Sequence, residues 1–128
     1  IAEKLKISKH KKPEYTLFPT TFSELDDMII KEIKKNGNNC SLNHIDVSKI
    51  TSLSYLFYTT DLIKFNGDIS QWDVSNVINM KFMFANCKKF NCDLSDWNVS
   101  NVKDMYYMFT GCTSLKNKPS WYKDEKTK

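Results

Sequence analysis

Arginine is absent from this sequence, and the only histidines are His10 and His44. All nineteen cationic residues are lysines, whereas arginine is the residue that reads guanine edges and binds phosphate with two parallel hydrogen bonds. Nucleic-acid binding is therefore not expected. With so few imidazoles, and without a glycine-rich loop, the sequence also indicates neither a metal site nor an acid–base centre.

Long apolar runs are missing as well. No segment approaches the roughly 20 apolar residues that a membrane-spanning helix needs. The charged start, IAEKLKISKHKK, lacks the hydrophobic stretch of a signal peptide, and a chain that begins with Ile has the form of a mature protein or a fragment. We expect no membrane span in this sequence, and its localisation stays open.

The formal net charge of +4 describes the ends of the chain and not its interior. Residues 1–12 carry five lysines against one glutamate, and residues 116–128 carry five lysines against two acidic residues. Residues 13–115 carry nine lysines and twelve acidic residues, which makes the interior negative. A basic groove is therefore not expected in the folded body.

Two blocks of the sequence are near copies, WDVSNVINMKFMFANC at 72–87 and WNVSNVKDMYYMFTGC at 97–112. Their 25-residue period is typical of stacked repeats, and alignment outward from them finds an earlier, more diverged copy. We predict a lysine-rich, partly flexible lead-in at 1–19, a capping helix at 20–37 and a repeat array at 38–122. Its units are 38–64, 65–89 and 90–114, followed by an aromatic cap at 115–122 and a charged tail at 123–128.

The period changes within one repeat. Trp72 and Val74 alternate with polar residues as in a half-buried strand, whereas the apolar positions from Val77 to Cys87 recur at helical spacing, with Ser75 or Asn76 placed to cap the helix. Each unit is therefore predicted to be a strand, a turn and a short helix. The predicted fold class is an α/β repeat, a short leucine-rich-repeat-like solenoid of about three such units.

The segment before the repeats, TTFSELDDMIIKEIKKNG, carries the signals of an amphipathic helix. Thr21 and Glu24 have capping-box spacing, apolar residues share one face, two lysines suit the C-terminal dipole, and Gly37 suits a left-handed cap. This helix is predicted to cover the first open face of the array.

With its WDVSNV, MKFMFANC and FNCDLSDW segments, the chain resembles the bacterial surface-protein repeat of the DUF285 or BspA-like leucine-rich-repeat group. The resemblance covers about residues 22–122. It implies a leucine-rich-repeat-like fold, attachment to bacterial surfaces and a role in adhesion or protein recognition. The group carries no catalytic residues that could be transferred.

The recurring Trp, Met and Cys residues are interpreted as core and not as a ligand cage. Cys87 and Cys112 hold equivalent repeat positions, which suits a buried column of small residues and also leaves open a bridge between them in an oxidising compartment. The Cys87–Cys92 spacing is unusual for zinc. No metal or cofactor is expected, and since Asn98 replaces Asp73 in the next repeat, neither is enzymatic activity.

The polar residues that alternate with the inward ones define a predicted face for binding a protein. These nine residues are His44, Asp46, Ser48, Gln71, Asp73, Ser75, Asp96, Asn98 and Ser100. A merely solvated face explains the same alternation. We expect a non-enzymatic recognition module of a bacterial surface or secreted protein; the alternative is a cytoplasmic immunity-type protein that blocks a toxin or enzyme. The partner and the oligomeric state stay undetermined.

Overall fold

The computed structural model describes residues 13–123, and most of this part of the chain is built from turns. Its single helix is α1, Phe22–Asn36. The remaining regular pairing consists of isolated parallel bridges, Leu17 with Ile45, Ser41 with Asp68, Ser52 with Asn79 and Asn79 with Asp104. Residues 1–12 of the predicted lead-in and residues 124–128 of the predicted tail lie outside the described residues.

Helix α1 is capped at both ends by the residues that its sequence favours. Thr21 Oγ1 accepts a hydrogen bond from the Glu24 N–H at 3.1 Å, and the Glu24 carboxylate accepts one from the Thr20 N–H at 2.7 Å. At the other end, Gly37 has φ 90° and ψ 169°, a conformation essentially reserved for glycine. Its N–H donates to the Ile33 carbonyl at 2.7 Å, which ends the helix.

The apolar face of α1 packs at the first repeat, residues 38–64. Leu25 and Ile29 are fully buried in the shared core. Glu32 Oε1 lies 3.0 Å from His44 Nε2, which links the helix to the beginning of that repeat. The first end of the array is thus closed by a helix.

The repeats consist of consecutive β-turns that link buried residues three apart. In the second repeat, residues 65–89, the Met83 N–H donates to the Met80 carbonyl at 3.2 Å and the Cys87 N–H to the Phe84 carbonyl at 3.0 Å. The Phe90 N–H continues the series by donating to the Cys87 carbonyl at 3.2 Å. Equivalent bonds recur in the first repeat and in the third, residues 90–114, so each buried side chain marks a turn boundary.

The predicted α/β fold of strand-turn-helix units is wrong. Within residues 13–123 no sheet forms, and no repeat contains a helix. Left-handed residues interrupt the chain where helices were expected; they are Tyr55, Phe82, Asn86, Tyr107 and Gly111. Because a right-handed helix cannot pass through such a residue, three-residue turns replace it. The predicted strand around Trp72 is likewise a turn, with the Trp72 N–H donating to the Ile69 carbonyl at 3.1 Å.

Neighbouring repeats are joined by parallel backbone hydrogen bonds. From the first repeat, the N–H groups of Leu53, Tyr55 and Phe57 donate to carbonyls of the second at 2.9–3.0 Å. From the second, those of Met80, Phe82 and Phe84 donate to carbonyls of the third at 2.8–3.0 Å. All six of these N–H groups donate to the following repeat, whereas the N–H groups of Ile78 and Lys103 donate to the preceding one at 2.8 and 2.7 Å.

Columns of equivalent side chains form the core between these bonds. Phe84 lies between Phe57 and Phe109, with ring centroids 5.3 and 5.5 Å away and nearly parallel planes. Trp97 lies in the same way between Trp72 and Trp121, at 6.5 and 6.3 Å. The prediction that the tryptophans and methionines fill the interior is confirmed, with Trp121 partly buried at the last repeat.

Polar atoms of the repeating side chains bind carbonyls of the preceding repeat. Trp97 Nε1 donates to the Ile69 carbonyl at 3.1 Å, and Trp72 and Trp121 make the equivalent bonds at 2.9 Å. Cys112 Sγ donates to the Phe84 carbonyl at 2.9 Å. The Trp and Cys columns therefore satisfy buried backbone groups as well as filling space.

Candidate functional site

Six of the nine residues in the predicted binding face form three equivalent Asx turns. Asp73 Oδ1 accepts hydrogen bonds from the Ser75 N–H at 3.1 Å and from its hydroxyl at 2.6 Å. Asn98 does the same for Ser100, at 3.1 and 2.8 Å. Asp46 accepts from the Ser48 N–H at 3.0 Å. The aspartate and serine side chains are thus engaged in shaping their own turns.

These turns are also linked from repeat to repeat and are partly covered. Asn76 Nδ2 donates to the Ser48 carbonyl at 2.8 Å, so the residue predicted to cap a helix holds the preceding repeat instead. Tyr15 lies beside the same face: burial and the nearby carboxylates of Asp46 and Asp73 raise the pKa of its hydroxyl. This part of the face belongs to the internal structure more than to a free surface.

The other three residues of the predicted face have separate surroundings. His44 contacts Glu32 of α1, and its carbonyl accepts the Thr16 N–H at 2.9 Å. The Gln71 backbone N–H donates to the Asn43 side-chain oxygen at 3.0 Å, and Gln71 is exposed. Asp96 is exposed. Gln71 and Asp96 are therefore the members of this face best placed to meet another molecule.

A different surface holds a group of large aromatic side chains, which we call the aromatic ridge. It consists of Tyr55, Tyr58, Phe82, Tyr106 and Tyr107. The four tyrosines are between 37% and 45% exposed, and Phe82 is half-buried among them. The ridge crosses all three repeats.

Phe82 is the centre of the ridge. Its ring stacks on Tyr55 at 4.9 Å with a 9° angle between the planes, and it lies 5.3 Å from Tyr107. Tyr58 approaches it at 6.2 Å and Tyr106 meets it edge-on at 6.4 Å. Because each ring is braced by its neighbours, the exposed aromatic surface is ordered before any partner arrives.

The backbone beneath the ridge has an unusual conformation. Tyr55, Phe82 and Tyr107 occupy the same position in successive repeats, and their φ angles are 64°, 55° and 55°. Bulky residues rarely adopt positive φ; each such residue costs about 1–3 kcal/mol and persists only where the surrounding fold enforces the conformation. At the second left-handed position of the repeat, Asn86 and Gly111 avoid most of that cost.

Two tyrosines of the ridge interact directly. The rings of Tyr106 and Tyr107 lie 4.1 Å apart, and a hydrogen bond with the Tyr107 side chain, followed by electrostatic interaction with it, raises the pKa of the Tyr106 hydroxyl. The Tyr106 hydroxyl is therefore neutral at physiological pH. An exposed, uncharged, aromatic surface of this kind can pack on apolar groups and donate hydrogen bonds at its rim.

The cysteines are free thiols in the structure, and their surroundings oppose reactivity. Burial, followed by interaction with Cys112, raises the pKa of Cys87 to about 12. Burial is also the main cause that raises the pKa of Cys112 to about 11 and that of Cys92 to about 11. A thiol with a raised pKa is a poor nucleophile at neutral pH.

Within residues 13–123, no group of three or more His, Cys, Asp or Glu side chains is arranged to hold a metal ion. In the same part of the chain, α1 is neither long enough nor apolar enough to cross a membrane. The surface features that stand out in this range are the Asx-turn face and the aromatic ridge.

Sequence reasoning missed the ridge, although its signal is present. Position 55 and its equivalents 82 and 107 are aromatic in all three repeats, yet they fall outside the series of inward-facing residues. A repeating aromatic residue at an outward position is the pattern that identifies such a surface.

A protein-family model described as "Mycoplasma protein of unknown function, DUF285" matches residues 23–128. No curated protein and no solved structure matches the chain.

Proposed function

The chain belongs to the DUF285 family, and for this member we propose a non-enzymatic role in recognising another protein, with the aromatic ridge as the main contact surface. The proposal keeps the bacterial surface or secreted setting that the sequence resemblance implies. The observation that carries it is the exposure of four tyrosines clustered around Phe82.

Exposed aromatic clusters favour binding for two physical reasons. Tyrosine and phenylalanine bring a large contact area with few rotatable bonds, so little conformational entropy is lost when they are covered. Aromatic residues are accordingly enriched among the residues that dominate binding energy at protein interfaces. The prior stacking of Tyr55 on Phe82 reduces the entropy loss further.

The strained backbone supports the same proposal. Asparagine or glycine would meet the left-handed requirement at positions 55, 82 and 107 at less cost, as they do at positions 86 and 111. Aromatic residues at all three positions therefore carry a conformational cost that asparagine or glycine would largely avoid. A surface that needs these rings explains why they occupy unfavourable positions.

The test compares variants of two surfaces. Tyr58→Ala combined with Tyr106→Ala removes two exposed rings at positions without left-handed φ, so the fold should persist. The matched control, Gln71→Lys with Asp96→Lys, changes exposed members of the predicted polar face that form no Asx turn. Partner capture from the source organism should fall about tenfold or more for the ridge variant only. Equal capture by the wild type and the ridge variant would refute the proposal that the ridge is the main contact surface. Loss of capture in the control variant alone would place binding on the polar face.

The second candidate is an intracellular immunity-type protein that inhibits a toxin or enzyme by covering it. The four free cysteines favour it, because disulfides are rare in reducing compartments. The same ridge would then contact the inhibited enzyme. Fractionation of source cells separates the two candidates: recovery from the cytosol together with a toxin supports inhibition, and recovery at the cell surface supports the first proposal.

A further inference from the structure

The end of the stack formed by the third repeat is incompletely covered. In the second repeat, Val74, Val77 and Met80 are 1%, 0% and 0% exposed. Their equivalents in the third repeat are Val99 and Val102, both half-buried, and Met105 at 7%. In the second repeat these apolar residues are covered by the following repeat. In the third repeat the equivalent apolar strip is left partly open.

Backbone donors line the same strip. The N–H groups of Met80, Phe82 and Phe84 donate to the third repeat, and their equivalents belong to Met105, Tyr107 and Phe109. No acceptor for these three N–H groups occurs among residues 13–123. In a trans peptide the carbonyl and the N–H of the next residue point in opposite directions. The carbonyls of residues 104, 106 and 108 face the second repeat, so these three N–H groups point away from it.

The two ends of the stack differ in how completely their apolar residues are covered. In the first repeat the equivalent apolar residues, Val47, Ile50 and Leu53, are at most 3% exposed, and Leu25 and Ile29 of α1 belong to the same buried core. At the third repeat, Trp121 and Tyr122 cover Trp97 and Phe109 but leave the valines half-exposed.

We propose that this open end binds an extended segment of a partner protein, which adds to the stack as the next repeat would. The segment's carbonyls on alternate residues accept hydrogen bonds from Met105, Tyr107 and Phe109. Its apolar side chains cover Val99 and Val102. Recognition of this kind combines backbone hydrogen bonds, which supply affinity, with side-chain spacing, which supplies specificity.

The chain itself shows what such a segment looks like. The donor rows of the first and second repeats are filled by NMKFMF at 79–84 and DMYYMF at 104–109. Both have methionine at the second and fifth positions, an aromatic residue at the fourth and phenylalanine at the sixth. The partner segment is therefore expected to carry large apolar residues at the second, fifth and sixth positions. The proposed contact uses the Tyr107 backbone N–H and not its ring, so it does not depend on the ridge.

The probe is a synthetic peptide of residues 76–86, NVINMKFMFAN, added to the full ¹⁵N-labelled chain. In the free protein, the amides of Met105, Tyr107 and Phe109 should exchange with solvent about 100-fold faster than those of Met80, Phe82 and Phe84. The peptide should slow exchange at the first three. A control peptide that carries Met80→Lys and Phe84→Lys should not slow exchange at these amides.

Variants of the protein separate this site from the ridge. Val102→Lys places a charge in the open strip and should weaken peptide binding at least about tenfold, whereas Tyr58→Ala, which alters only the ridge, should leave it unchanged. The inference is overturned if the three amides are already protected in the free chain, if the peptide protects none of them at millimolar concentration, or if the control peptide protects them equally. Unchanged binding by Val102→Lys overturns it as well.

Discussion

Replacing Trp97 by alanine removes the middle ring of the tryptophan column. Trp97 is 5% exposed, stacks between Trp72 and Trp121, and donates its Nε1–H to the Ile69 carbonyl. Its loss therefore creates a cavity between two repeats and leaves a buried carbonyl without its donor. The expected effect is a large loss of stability.

Its magnitude follows from two contributions. Truncation of a buried tryptophan to alanine costs about 3–5 kcal/mol. That range covers the lost burial and the cavity, and the Ile69 carbonyl left without its donor adds about 1–3 kcal/mol. Since domains of this size unfold with about 5–15 kcal/mol, the variant should be close to unfolding at room temperature.

Urea denaturation followed by far-ultraviolet circular dichroism measures the difference. Trp97→Phe is the matched control, because it retains a ring in the column and removes only the Nε1–H; it should cost about 1–3 kcal/mol. Asp96→Ala, at the exposed neighbouring position, should stay within about 0.5 kcal/mol of wild type. A loss below about 1 kcal/mol for Trp97→Ala would refute the reasoning that the column supports the stack.

The remaining predictions concern a close contact, the thiols and the carboxylates. Gly67→Ala should cost at least about 1–3 kcal/mol in urea denaturation, because a Cβ there would overlap the Cys40 carbonyl; a neutral effect would contradict that packing. Cys87 should resist iodoacetamide at pH 8 until the chain unfolds, and rapid native alkylation seen by mass spectrometry would contradict its burial. Because its folded pKa is raised from 9.0 to about 12, the stability it contributes should be complete below pH 9 and fall between pH 9 and 12. The Thr20 backbone N–H and then its hydroxyl lower the pKa of Glu24, so that contribution should be complete above about pH 4.5 and fall in acid; Glu24→Gln should flatten this part of the pH profile.

Much of the interior could be predicted from the period of the sequence. Trp72 and Trp97 repeat every 25 residues within an apolar pattern, and both are buried. The helix signals around Thr21 and Gly37 also correspond to a real helix, α1. Repetition constrains burial strongly, because each repeat must cover the same face of its neighbour.

The conformation within a repeat could not be predicted in the same way. Val74, Val77, Met80 and Met83 are three residues apart, and over so few residues this spacing fits a helix as well as a series of turns. The deciding feature is positive φ at Phe82 and its equivalents, which propensities disfavour for an aromatic residue. Contacts between repeats overrule local preference there.

The candidate site shows the same limit. Alternation placed Asp73 and Ser75 on an outward face, but it did not reveal that they bond to each other. The Asp-x-Ser spacing was the available signal, because aspartate commonly accepts a bond from the N–H two residues later. For the ridge, the recurring aromatic residues at positions 55, 82 and 107 were an available signal, but the clustering of their rings depends on the left-handed backbone.

Both proposed surfaces require that the repeats be stacked turns and not helices, and backbone chemical shifts of the full chain measured by NMR test this most directly. Residues 22–36 should show helical Cα shifts, while residues 77–87 and 102–112 should not, with Tyr55, Phe82 and Tyr107 showing the shifts and couplings of positive φ. Continuous helical shifts across 77–87 or 102–112 would contradict the account, because they would remove both the ridge and the outward row of N–H groups.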